Sequence, residues 1–167
     1  MTPLWEISLA YWLHMLATVV WIGGLATLTI LVIPAARRSL EPKAFAGLLE
    51  RVHKRLDPIG WLCLMLLGAT GLFQMSVNPN YKGFLTISNR WAVAILTKHI
   101  VFLVMIGVSA YVTWVLLPQM QRLALLQAAG HETPDAASLA AQEERMMRFS
   151  LVLGVLILGL TAVARAS

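Results

Sequence analysis

Long apolar runs separated by short polar stretches set the pattern of this chain. Four runs, residues 7–33, 59–77, 91–117 and 146–165, match or approach the roughly 20 apolar residues needed to cross about 30 Å of hydrocarbon. The fourth reaches that length only with Met146 and Met147. The pattern predicts an all-α protein, an integral membrane four-helix bundle in a single transmembrane domain over residues 1–167. The first run is expected to stay in the protein as a helix. Its flank, MTPLWEIS, carries Glu6 and lacks the basic residues of a secretory signal.

The polar stretches have periodicity of their own. Phe45, Leu48, Leu49, Val52 and Leu56 recur at helical spacing opposite Lys43, Glu50, Arg51, Lys54 and Arg55, with Pro42 suited to a first turn. This predicts an amphipathic helix on the inner membrane surface, ended where Asp57 and Pro58 cap and start the second span. After the third span, QMQRLALLQAAG continues in helix formers to a stop at Gly130. Thr133, Pro134 and Asp135 then restart a helix, so spans three and four extend inward as a helical hairpin. The stretch NPNYKGFLTISNR is a turn-rich loop, with Tyr81, Phe84 and Trp91 suited to an interfacial belt.

Composition agrees with a membrane protein: 59% of residues are hydrophobic and 13% charged. The net charge of +5 would also suit nucleic acid, but its distribution points elsewhere. Arg37, Arg38, Lys43, Arg51, Lys54 and Arg55 lie between the first two spans, and Arg122, Arg145 and Arg148 between the last two. Only Lys82, Arg90 and Arg165 lie on the other side, which places both termini and the second loop outside. Cys63 is the single cysteine, so no intrachain disulfide forms, and its expected role is packing. No Ser/His/Asp set, catalytic carboxylate pair or phosphate loop is apparent. His53 is expected to be solvated or to face headgroups, His131 to be exposed, and Glu143 and Glu144 to form a solvated face beside Arg145 and Arg148.

Two histidines fall inside the apolar runs. His14 lies seven residues into the first and His99 eight into the third, and both helices enter from the same side. At about 1.5 Å per residue both sit some 10 to 12 Å deep. An ionisable group at that depth faces the bundle and is a functional candidate. Two readings stand: a cofactor or metal site at His14 and His99, or imidazoles that bond Thr18, Thr70, Thr97 or a backbone carbonyl and hold helices together. A bis-histidine haem b needs two imidazoles on opposite faces of one iron. Gly68 and Gly71 leave room for a macrocycle or simply for packing, and Lys98, Arg90 and Lys82 are candidates for its propionates. Copper(I) prefers soft ligands, and Met75 or Met15 can join the histidines. Gly23 and Gly24 permit close helix approach. The spacing leans to haem.

LHMLATVVWIGGL resembles the first helix of CopD (copper resistance D domain) and HemJ-like membrane proteins, with Trp seven residues and Gly ten residues after the histidine. RLDPIGWLCLMLLGATGL is similar to their second helix, WAVAILTKHIVFLVMIGVSAYV to their third, and RFSLVLGVLILGL to the closing CopD helix. The HemJ-like resemblance implies haem b and protoporphyrinogen oxidation, with His14 and Lys98 as the important residues. The CopD resemblance implies copper uptake or tolerance across the inner membrane. The HemJ-type Leu-Pro-Arg run is absent, and Ser109 and Val112 stand where a later histidine is expected. The leading expectation is haem b used for electron transfer, held by His14 and His99 with Lys98 and Arg90. Copper transport or tolerance through His14, His99 and Met75 is the alternative, and a structural subunit of a larger membrane complex the third. Expected partners are the lipid bilayer, a redox partner or larger complex and a second copy of the chain, but no nucleic acid.

Overall fold

In the computed structural model, which describes residues 3–83, 87, 89–129 and 136–166, every regular element is helical. Four long helices alternate in direction. We label them α1 (Leu4–Ser39), α2 (Pro42–Ser76), α3 (Arg90–Tyr111, continuing through Val112–Leu116 and Leu117–Ala128) and α4 (Ala136–Arg165). Each contains a stretch long and apolar enough to cross a membrane. Val19, Leu103 and Trp114, at 70%, 66% and 68% exposure, belong to an apolar exterior that requires lipid around it.

Helices α1 and α2 pack as one antiparallel pair and α3 and α4 as another, joined by the segment that follows Ser76. In that connection the Asn80 amide donates to the Asn78 side chain, Gly83 takes φ 126°, and Asn89 caps α3 by accepting from the Ala92 amide at 2.7 Å. The pairs meet through side chains: Leu64, Met105 and Leu153 form the middle of the core. Met75, Trp91, Ala94 and Ala164 close the end that carries the termini, and Ile33, Leu49 and Met147 close the opposite, basic end.

The basic amphipathic stretch is the first half of α2 and not a separate surface helix. Pro42 occupies the first turn as expected, but Asp57 and Pro58 neither cap nor start a helix, because α2 runs through them without a break. Pro58 costs a hydrogen bond to the Lys54 carbonyl. Its ring lies on the exposed side of α2, which spares the core that cost. The stop and restart expected at Gly130, Thr133, Pro134 and Asp135, together with His131 and Phe84, lie outside the described residues.

Two helices contain π turns, Thr27–Val32 in α1 and Val112–Leu116 in α3. Such turns widen a helix and loosen its ladder, and they recur near functional sites. Here they flank one cavity of about 150 Å³ in the basic half of the bundle: Leu28 comes from the first, Val112 and Thr113 from the second. Trp61 crosses that joint, stacking on Trp114 with ring centroids 5.2 Å apart and donating from its indole N–H to Thr113 at 3.4 Å.

Candidate functional site

The polar residues of the membrane region form two groups, one in each half of the bundle. His14 is central to the group near the termini. Its Nδ1 lies 2.8 Å from Thr70 Oγ1 on α2, and its Cε1 fills the space over Gly71, where an added Cβ would stand 3.5 Å away. The Thr70 hydroxyl donates to the Leu66 carbonyl, so it accepts from the imidazole. Nδ1 of His14 therefore carries the proton, and Nε2 carries the lone pair. Thr18 donates to the His14 carbonyl at 2.7 Å, and Gln74 ties α2 to the Ala10 carbonyl at 3.2 Å, which fixes the backbone on both sides.

His99 is set the same way. Its Nδ1 is 2.7 Å from the Ile95 carbonyl, an acceptor only, so that nitrogen is protonated and Nε2 is again the basic one. Lys98, one position earlier, is the charged group that acts on His14 across the bundle. Lys98 is half-buried, and the charge of Arg165 on α4 acts on it in turn. The Arg165 guanidinium lies over the Tyr11 ring, 5.2 Å from its centroid. His14 and Thr70 thus join α1 to α2 directly, while the charges of Lys98 on α3 and Arg165 on α4 act on this end of the bundle.

The other candidates are placed differently. Met75 is buried with Trp91, Ala94 and Ala164, and Ile95, whose carbonyl takes the His99 proton, packs on that cluster. Met15 faces outward at 58% exposure, and Arg90 is exposed at the start of α3. The space at Gly68 is taken by the Phe102 ring, as that at Gly71 is by His14, so both glycines serve packing. Gly23 and Gly24 meet nothing within 4 Å; the close approach is made instead at Gly154, where an added Cβ would lie 3.3 Å from the Trp21 ring.

The second group is one that sequence reasoning missed. His53 and Glu143 are not solvated: they are 7% and 1% exposed and form an ion pair between α2 and α4 through His53 Nε2. The other ring nitrogen, Nδ1, faces Asp57 at 3.6 Å. Glu144 points the other way and is held by Arg37 at 2.8 Å and by Arg148, while Arg37 also covers the Phe45 ring. The only sequence signal was position. His53 continues the apolar register of Leu49, and Glu143 lies four residues before Met147, so both fall on buried helix faces.

No cluster of three or more His, Cys, Asp or Glu side chains able to hold a metal exists among the described residues. His14 on α1 and His99 on α3 each have a tautomer preset by an Nδ1 hydrogen bond, a setting compatible with more than one ligand chemistry. Residues 50–164 match the family Copper resistance protein D (CopD). The chain belongs to the CopD family. The match covers α2 from Glu50 onward, α3 and nearly all of α4, so it includes Thr70, Lys98 and His99, while His14 lies before it. No curated protein and no solved structure gives a match. This CopD-family chain therefore has the architecture of an integral membrane protein, with four helices long and apolar enough to cross a bilayer.

Proposed function

We propose that this CopD-family protein handles copper(I) within the membrane, with His14 as the principal ligand and His99 as the second. The observation that carries the reading is the matched setting of the two rings. Each gives its Nδ1 proton to a fixed oxygen, Thr70 Oγ1 or the Ile95 carbonyl, and each thereby has its lone pair on Nε2. Metal-binding histidines are held this way, with the second ring nitrogen donating to a carbonyl or hydroxyl partner that fixes the tautomer and raises ligand basicity. Two neutral imidazoles suit copper(I), and the buried thioether of Met75 provides a soft atom at the same end of the bundle. Basic residues gathered at the opposite end support an orientation with the His14 end outside the inner membrane. His14 then meets copper first.

Haem b for electron transfer is the second reading, supported by Lys98 and Arg165. Two cations at the His14 end raise the cost of a bare metal ion there and favour a ligand that carries carboxylates. The helices as packed do not fit a macrocycle, because the spaces at Gly68 and Gly71 are filled by Phe102 and His14. One purified sample separates the readings. Anaerobic titration with copper(I) against a chromophoric chelator should show tight binding that His14→Ala weakens. A reduced-minus-oxidised spectrum with sharp haem b bands and no copper(I) binding would reverse the order.

A further inference from the structure

Two glycines, one on each helix of the first pair, shape the cavity in the basic half of the bundle. Gly24 of α1 and Gly60 of α2 both line it, and an added Cβ at either would meet nothing within 4 Å. Beside them Val20 and Ile59, 41% and 45% exposed, also line the cavity, so it opens between α1 and α2 onto the apolar exterior. Most of its wall is apolar, with Trp21, Leu25 and Leu28 from α1, Leu56 and Leu64 from α2 and Val112 from α3. The strongest polar groups of the wall are already engaged: His53 faces Asp57 at 3.6 Å, and Thr113 accepts from the Trp61 indole N–H. An apolar cavity of about 150 Å³ excludes water and holds a guest the size of benzene. Open to a bilayer, it holds a stretch of hydrocarbon chain.

The charges at the mouth decide which molecule that chain belongs to. Ile59 begins the apolar run of α2. Arg55 and Arg51 precede it on the same exposed stripe, one and two turns back, at about 6 and 12 Å along the axis. Both guanidinium groups therefore stand at headgroup depth, above a mouth that meets the first carbons of the acyl region. Among the described residues neither arginine, nor the adjacent Lys54, forms an ion pair, while Arg37 and Arg148 are taken by Glu144. Basic sites between spanning helices bind anionic lipid headgroups. Arginine adds a planar fork that holds phosphate through two hydrogen bonds at once.

We propose that the cavity seats part of one acyl chain of an anionic phospholipid whose phosphate is held by Arg55 and Arg51. The seated chain fills the gap at Gly24 and Gly60 and so ties α1 to α2 in the basic half. The second chain lies outside, along Leu62 and Met65, which are exposed on the same face of α2. This lipid site is separate from His14 and stands whatever ligand His14 takes.

The test uses the full-length protein in detergent and phosphatidylglycerol with a diazirine on one acyl chain, its attachment points mapped by peptide mass spectrometry after irradiation. Native mass spectrometry gives the lipid affinities. The inference expects saturable labelling of the cavity wall, residues 20–28 and 56–64, displaced by unlabelled phosphatidylglycerol and not by phosphatidylcholine at equal concentration. Gly60→Leu and Gly24→Leu, whose new side chains start in open space, should each block that labelling. Arg51→Gln combined with Arg55→Gln should weaken phosphatidylglycerol by about 20- to 30-fold, about fivefold per arginine. Wall labelling that persists in both glycine variants, or equal affinity of the wild type for the two lipids, overturns the inference. Displacement of the label by an isoprenoid quinone and not by phosphatidylglycerol assigns the cavity to another class of ligand and overturns it as well.

Discussion

Replacing Thr70 by valine removes one oxygen from the His14 site and almost nothing else, since the two side chains have the same shape. The imidazole loses the acceptor 2.8 Å from Nδ1, and the buried N–H is left without a partner. An unmet buried donor costs about 1 to 3 kcal/mol. The ring can avoid that cost by moving its proton to Nε2, but it then loses the lone pair that a metal needs. Deleting such an outer partner typically lowers metal affinity by about 10- to 100-fold, which is roughly 1.4 to 2.8 kcal/mol. The α1–α2 hydrogen bond itself contributes only about 0.6 kcal/mol, and at most about 2. Thr70→Val is therefore expected to fold, to unfold a few degrees earlier in detergent, and to bind copper(I) at least about 10-fold more weakly. Thr70→Ser keeps the hydroxyl and is expected to bind like the wild type. Anaerobic chelator competition on all three proteins measures this. Copper(I) affinity unchanged in Thr70→Val, or equally weakened in Thr70→Ser, would refute the role given to the hydroxyl.

Other outcomes follow from the packing and the charges. Glu143→Ala leaves a buried imidazolium at His53 beside one remaining carboxylate and is expected to cost about 3 kcal/mol or more, read from chemical unfolding in detergent. A double His53→Leu, Glu143→Leu variant should lose much less. Gly154→Val drives a branched side chain into the Trp21 ring and is expected to destabilise by about 1 to 3 kcal/mol, whereas Gly24→Ala meets open space and should be neutral or slightly stabilising. Arg148→Ala removes one of two cations from Glu144, and as an exposed pair it should change stability by less than about 1 kcal/mol, measured by thermal melting at low salt. If the His14 site takes a carboxylate-bearing ligand, Lys98→Met should weaken that ligand; if it takes copper(I), the same change should leave affinity equal or tighter.

The fold was legible because lipid imposes a simple rule: a spanning backbone must satisfy its own hydrogen bonds, so long apolar runs become helices. His14, Thr18, Trp21 and Leu28 share one face of α1 by helical spacing, and they point into the bundle or bond within it. The His14–Thr70 contact was among the expected hydrogen bonds, and the packing role of Gly68 and Gly71 was one of their two readings. Local signals failed where tertiary surroundings override them. Asp57-Pro58 reads as a helix start, but α2 continues because the proline ring turns outward at a position where its lost bond can be met from outside the core. His53 and Glu143 read as solvated because their neighbours are charged. A ten-residue window cannot reveal that each lies on a buried face, opposite a partner ninety residues away in the chain. The action of the Lys98 charge on His14, and of the Arg165 charge on Lys98, likewise depends on how the helices rotate about their axes.

X-ray absorption at the copper K-edge tests on the protein itself whether Nε2 of His14 is a copper(I) ligand. Copper(I)-loaded wild-type protein is expected to show the outer-shell scattering of coordinated imidazole, reduced in His14→Ala and in His99→Ala. Spectra of the His14→Ala protein that match the wild type at equal copper loading would contradict it.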